Sequence, residues 1–235
     1  MHGSCPLKNT GGKTMKKVYL HTLTIRVWHW INAAIIILLT ITGIHLRAPG
    51  TEEVAKSLGL WLPGYTAAVL IHKYAGFAMT AAFIFWITYI LISGSFRKHY
   101  LFRLSDIPVM GRQARYYVIG LFNGEKNPFV STPEGKFNPL QKLTYGAAMP
   151  VILFALIVTG ILFSDIFYFR DEIERLGGVR MIDTLHVIAA YLCLLNFLVH
   201  LYMTTMGHHI FDHIKSMIVG YEEVAEEEAE HTQAS

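Results

Sequence analysis

Four long runs of hydrophobic positions, each free of formal charge, dominate the chain. Residues 27–46 number twenty and lie between Arg26 and Arg47; 74–96 number twenty-three and lie between Lys73 and Arg97. Residues 143–164 number twenty-two, between Lys142 and Asp165, and 184–211 number twenty-eight, between Asp183 and Asp212. A bilayer core of about 30 Å takes roughly 20 residues of α-helix at about 1.5 Å each. Each run is therefore long enough to cross. The pattern predicts helices at about 25–46, 65–96, 140–164 and 182–206, the second starting near Tyr65 because a single Lys73 can snorkel or pair. They make one domain over 21–220, between an N-terminal tail at 1–20 and an acidic tail at 221–235. The first run starts too late and runs too long for a cleaved signal peptide.

Composition sharpens this to an all-α membrane protein. Hydrophobic residues make up 53% of the 235 and charged residues 16%, against about 25% charged in a soluble domain. Disorder and a disulfide scaffold are excluded, and a net charge of +3 is too small to call for nucleic acid. Cys5 and Cys193 form no framework, and no Cys-x-x-Cys or Cys-x-x-Cys-His occurs. Lys and Arg set the orientation. Lys8, Lys13, Lys16, Lys17 and Arg26 precede the first helix, and Arg97, Lys98, Arg103, Arg112, Arg115, Lys126, Lys136 and Lys142 fill the middle loop. Both termini and that loop are expected in the cytoplasm, the loops 47–64 and 165–183 on the outer side.

The chemistry lies in the histidines, 12 in all. An ionisable residue inside a span is costly and marks function. His29 stands near the cytoplasmic end of the first helix and His72 near the outer end of the second; His186 and His200 stand at outer and inner depths of the fourth. Fourteen residues separate the last two, about 21 Å of rise and only about 40° short of four full turns. Both rings leave one stripe of the helix at two depths, each with one partner on another helix. Pairs His29/His200 and His72/His186 are an arrangement for two stacked b haems, each iron held by two imidazoles.

Gly43, Gly76, Gly146 and Gly160 fit clearance for a porphyrin edge, against ordinary small-residue packing. His45, about 160° round the helix from His29, and His209 lie off the stripe, and His2 and His231 read as solvated. His21, His99, His208 and His213 gather at the cytoplasmic interface. Residues 101–136 include an amphipathic stretch, Asp106 to Gly120, expected to lie along the membrane surface.

These residues resemble the membrane cytochrome b subunits of formate dehydrogenases and nickel–iron hydrogenases, including thiosulfate-reductase cytochrome b. The resemblance runs from about residue 17 to 224. It rests on Arg26-Val-Trp-His29-Trp-Ile-Asn32, Ile71-His72-Lys-Tyr-Ala-Gly76, Gly135-Lys-Phe-Asn138-Pro-Leu-Gln141-Lys-Leu-Thr-Tyr145, Gly177 to His186 with His200, and Gly207 to Glu223. It implies the same pairing of histidines. It also implies a quinone site at the cytoplasmic haem, lined by Asn138 with Gln141 a turn later; Asn138 equally suits a helix cap ahead of Pro139. Arg26, three residues before His29, is a candidate partner for a haem propionate or an interfacial anchor.

The reading is a four-transmembrane-helix bundle in the cytoplasmic (inner) membrane of a bacterium or archaeon. With two haem b it passes electrons between a partner redox subunit and menaquinone or ubiquinone. The partner would be an iron–sulfur, molybdopterin, hydrogenase or multihaem cytochrome subunit. Any enzyme activity belongs to that complex. A histidine-based metal transporter, whose ligands would converge at one depth, and a haem-free anchor are the alternatives.

Overall fold

The computed structural model describes residues 7–8, 14–19, 21–48, 50–94, 96, 100, 106–125, 128, 138–204 and 212–225. The protein is mostly helical. Four helices are long and apolar enough to cross a membrane: α1 (Leu23–Arg47), α3 (Tyr65–Ile92), the continuous stretch Pro139–Ser164, and α8 (Val179–Thr204). That third stretch comprises α5 (Pro139–Leu143), a π-helical turn at Thr144–Ala148 and α6 (Met149–Ser164). The π turn has a local cause. Pro150 has no N–H to give the carbonyl four residues back, and its ring crowds that turn. Short helices α2 (Thr51–Ser57) and α7 (Arg170–Arg175) occupy the two loops expected on the outer side.

The chain divides into two compact bodies. One comprises Val27–Tyr89 and Met149–Val199. Within it the four long helices are tied in a ring, each to the next. Trp28 Nε1 donates to the Ala82 carbonyl at 2.9 Å, joining α1 to α3, and the Trp28 ring stacks on Trp86. Lys73 Nζ donates to the Ser164 carbonyl at 2.7 Å, joining α3 to the C-terminal end of α6, where a cation suits the exposed carbonyls. Thr159 meets His186 at 2.7 Å between α6 and α8. Arg47 and Asp183 close the ring between α1 and α8 at 3.5 Å. Leu162, Ile173 and Ile182 pack a small core with Phe163 and Phe169 beneath α7. Apolar side chains such as Leu38, Ile41, Phe154 and Leu195 point outward, which suits helices whose solvent is lipid.

The other body comprises Met1–Arg26, Ile90–Ala148 and His200–Ser235. Here the all-α expectation gives way locally. Strands β1 (Leu7–Lys8), β2 (Thr14–Tyr19) and β3 (Tyr221–Ala225) form an antiparallel sheet that draws on both tails. The register sets Lys17 opposite Glu223 and Tyr19 opposite Tyr221. The amphipathic stretch forms α4 (Ile107–Arg115) and a π-helical turn, Tyr116–Gly120. Lys142 of α5 reaches Asp106, ahead of α4, at 3.6 Å. The last helix, α9 (Asp212–Val219), ends at Gly220. The second long helix stops at Ile92, short of the expected 96, where Gly94 takes a φ of 68°. The fourth begins at Val179, before the expected 182.

Candidate functional site

His72 and His186 each lie seven positions after the first residue of their helices, α3 and α8. The structure brings them together. Their ring centres stand 6.4 Å apart with the planes inclined at 69°. Two imidazoles on one metal ion, each nitrogen about 2 Å from it, have ring centres roughly 6 Å apart. The separation therefore fits a shared iron.

The Nδ1 of each ring faces a threonine hydroxyl, and His72 also has a backbone hydrogen bond with Leu39. Thr42 Oγ1 lies 2.8 Å from His72 Nδ1, and Thr159 Oγ1 lies 2.7 Å from His186 Nδ1. Each hydroxyl donates its own proton back along its helix, Thr42 to the Leu38 carbonyl at 2.7 Å and Thr159 to the Ala155 carbonyl at 2.6 Å. With that proton used, each oxygen accepts from the imidazole. Nδ1 then carries the hydrogen, and Nε2 keeps the lone pair a metal needs. Both threonines are buried.

The glycines serve the histidines more directly than expected. A Cβ on Gly43 would lie 3.3 Å from His72 Cε1, and one on Gly160 would lie 3.6 Å from His186 Cε1. Each glycine follows one of the two threonines, so Thr42-Gly43 and Thr159-Gly160 are matching platforms for the two rings. Gly146 is needed for another reason: a Cβ there would strike the Tyr100 carbonyl. At Gly76 a Cβ would meet nothing within 4 Å.

His29 belongs to the first body and His200 to the second. His29, on α1, has the Trp30 ring edge-on at 5.3 Å. One turn of helix on from Trp28, the buried Asn32 donates to the Trp28 carbonyl at 2.7 Å. His200, near the end of α8, has its Nδ1 3.3 Å from the Tyr145 hydroxyl. His200 thus meets a phenol where His72 and His186 meet aliphatic hydroxyls.

Asn138 is buried at the start of α5 and forms a complete capping box. Its Oδ1 accepts from the Gln141 backbone N–H at 2.9 Å, and its own N–H donates to Gln141 Oε1 at 3.1 Å. Its Nδ2 donates to the Tyr117 hydroxyl at 3.0 Å, and Tyr117 also hydrogen-bonds Gln113, which is fully buried. Burial holds the Tyr117 phenol above its ordinary range, with the Gln113 and Asn138 hydrogen bonds pulling the other way. Its hydroxyl therefore stays protonated at neutral pH.

Arg26 gives Nη1 to the Ile218 carbonyl at the end of α9, and its Nε is buried without a hydrogen-bond partner among the described residues. His45 is 8% exposed, and neither ring nitrogen has a hydrogen-bond partner among the described residues. His2, His99, His208, His209 and His231 lie outside the described residues, as does Cys5. Among the described residues no group of three or more His, Cys, Asp or Glu side chains converges to hold a metal.

The paired threonines escaped the sequence reading, though a signal was present. Ile41-Thr42-Gly43-Ile44 and Val158-Thr159-Gly160-Ile161 repeat one pattern on the first and third spans.

The chain is similar in sequence to known proteins. Putative cytochrome YdhU of Escherichia coli is 33% identical over 213 residues, covering 88% of this chain and 75% of that one. The probable Ni/Fe-hydrogenase B-type cytochrome subunit of Cupriavidus necator is 25% identical over 232 residues, 89% of this chain and 88% of that one. The protein of the same description from Rhizobium leguminosarum bv. viciae is 26% identical over 212 residues, 80% of each. The profile of the prokaryotic cytochrome b561 family matches residues 20–220, which take in all four long helices and His29, His72, His186 and His200, and the chain belongs to that family.

Proposed function

We propose that this protein is a membrane-anchoring cytochrome b subunit of a respiratory oxidoreductase complex. It carries two b haems and passes electrons between a partner redox subunit and the membrane quinone pool. Membership of a cytochrome b family implies b-type haem. The observation that carries the haem reading is the pair of facing imidazoles of His72 and His186, each with Nδ1 on a threonine hydroxyl, which supports the outer haem. By the depth argument His29 and His200 hold the second haem, nearer the cytoplasm. The haems supply one-electron chemistry when bound; the chain supplies ligands, burial and a fixed spacing.

The other residues have parts in this reading. Arg26 Nε, buried without a hydrogen-bond partner among the described residues, is suited to a carboxylate such as a propionate of the inner haem. The Gln113, Tyr117, Asn138 and Gln141 cluster offers hydroxyl and amide groups for a quinone carbonyl and its protons. Because Asn138 Oδ1 is committed to the cap, Asn138 acts through its amide or through Tyr117. The names of the relatives favour a hydrogenase as partner; iron–sulfur, molybdopterin and multihaem cytochrome subunits answer the same electron-transfer need. The spans form the domain at 21–220, with both termini on the cytoplasmic side by the Lys/Arg bias.

Four substitutions test the pairing. His72→Ala and His186→Ala should each remove the same spectral haem component and leave the other. His29→Ala and His200→Ala should each remove that other one. Loss of one and the same component from His29→Ala and His186→Ala would overturn the assignment.

A further inference from the structure

The two threonines beneath the outer histidines do more than satisfy themselves. A threonine in a membrane helix commonly returns its hydroxyl proton to the carbonyl four residues back, and Thr42 and Thr159 both do so. That habit alone places no imidazole on the hydroxyl. Here each oxygen has a histidine Nδ1 on its free side, at 2.8 and 2.7 Å. The two threonines are 2% and 4% exposed, so water does not compete for either contact. They stand on different helices, α1 and α6, and serve histidines on two others, α3 and α8. The adjoining Gly43 and Gly160 let the ring approach that helix at its Cε1 edge. The same device occurs twice, independently, around one proposed iron.

We propose that Thr42 and Thr159 are positioning residues that set the tautomer and the donor strength of the two axial ligands of the outer haem. The inference rests on the reading of His72 and His186 as those ligands. An imidazole whose Nδ1–H is hydrogen-bonded is more basic at Nε2 and is held in one orientation. A more basic pair of ligands favours ferric over ferrous iron and so lowers the potential of that haem. His200 Nδ1 faces a phenol hydroxyl at 3.3 Å.

The test is an optical redox titration of the purified full-length protein, with haem content measured beside it. Thr42→Val and Thr159→Val keep the branched shape and remove the acceptor; Thr42→Ser and Thr159→Ser keep the hydroxyl. Each Val variant should retain two haems, and the reduced-to-oxidised ratio of the outer one at fixed ambient potential should rise. The expected rise is roughly twofold to tenfold, the range spanned by one neutral hydrogen bond. The inner haem should be unchanged, the double Val variant should shift further, and both Ser variants should follow the parent. Loss of the outer haem in the Val variants with retention in the Ser variants would also support the proposal. Parental potentials in both Val variants, in a protein where His72→Ala and His186→Ala each remove the outer haem, would overturn it. So would equal loss of haem in Val and Ser variants, which would make the role one of shape. If His72→Ala and His186→Ala both left two haems, the ligand reading would fall and this inference with it.

Discussion

At the scale of single residues, the chain places neutral hydrogen-bond partners where a membrane leaves no water to supply them. His72, His186 and His200 each have a hydroxyl at Nδ1, and Asn138 has its carbonyl oxygen, amide and backbone N–H all engaged. Asn138 therefore separates two roles experimentally. Asn138→Ala loses the cap and the Tyr117 contact, and should lower thermal stability by about 1 kcal/mol or more. Asn138→Asp keeps an oxygen for the Gln141 N–H at a helix N-terminus that favours negative charge, and Tyr117 can turn its proton toward it. The aspartate donates nothing to a quinone and opposes negative charge developing on the quinone oxygen. If Asn138 serves the quinone, the Asp variant should keep both haems, reduce normally from its partner and be oxidised slowly by quinone. Parental quinone turnover in that variant would remove Asn138 from the site and leave it a cap.

At the scale of elements, the spans were legible and the joins were not. A bilayer demands about 20 apolar residues in succession, and lipid imposes that demand on each segment separately. The four windows accordingly show in the sequence without any knowledge of neighbours. The histidines show for a related reason: the cost of an ionisable group at depth makes their fourteen-residue spacing informative. Thr42 and Thr159 do not show in that way, because each satisfies itself locally and its second partner lies 30 or 27 residues away. The terminal sheet was hidden by distance too, since β2 and β3 are short, polar and about two hundred residues apart. At its junction with α9 the sheet meets a glycine that no other residue replaces easily. Gly220 has a φ of 89°, and a Cβ there would lie 2.9 Å from the His21 carbonyl oxygen and 2.9 Å from the Tyr19 ring. The His21 N–H also donates to the Gly220 carbonyl at 3.3 Å. Gly220→Ala should lower the unfolding temperature in detergent, by a free energy of about 1–3 kcal/mol, with haem content per folded chain unchanged. An unaltered transition would mean that this junction contributes nothing to stability.

At the scale of the whole molecule, membership of the prokaryotic cytochrome b561 family and four long apolar helices describe a prokaryotic membrane cytochrome. The proposed function goes further: two haems held through four histidines, rather than one haem through the pair that face each other. Haem number follows from pairing, and pairing follows from depth, so a haem count tests both. The direct measurement is a pyridine haemochrome assay on the purified, detergent-solubilised 26.6 kDa chain, read against quantitative amino-acid analysis. Two b-type haems per chain is the expected result. One haem per chain would leave His72 and His186 as a lone site and contradict the inner pair of His29 and His200; none would contradict the account altogether.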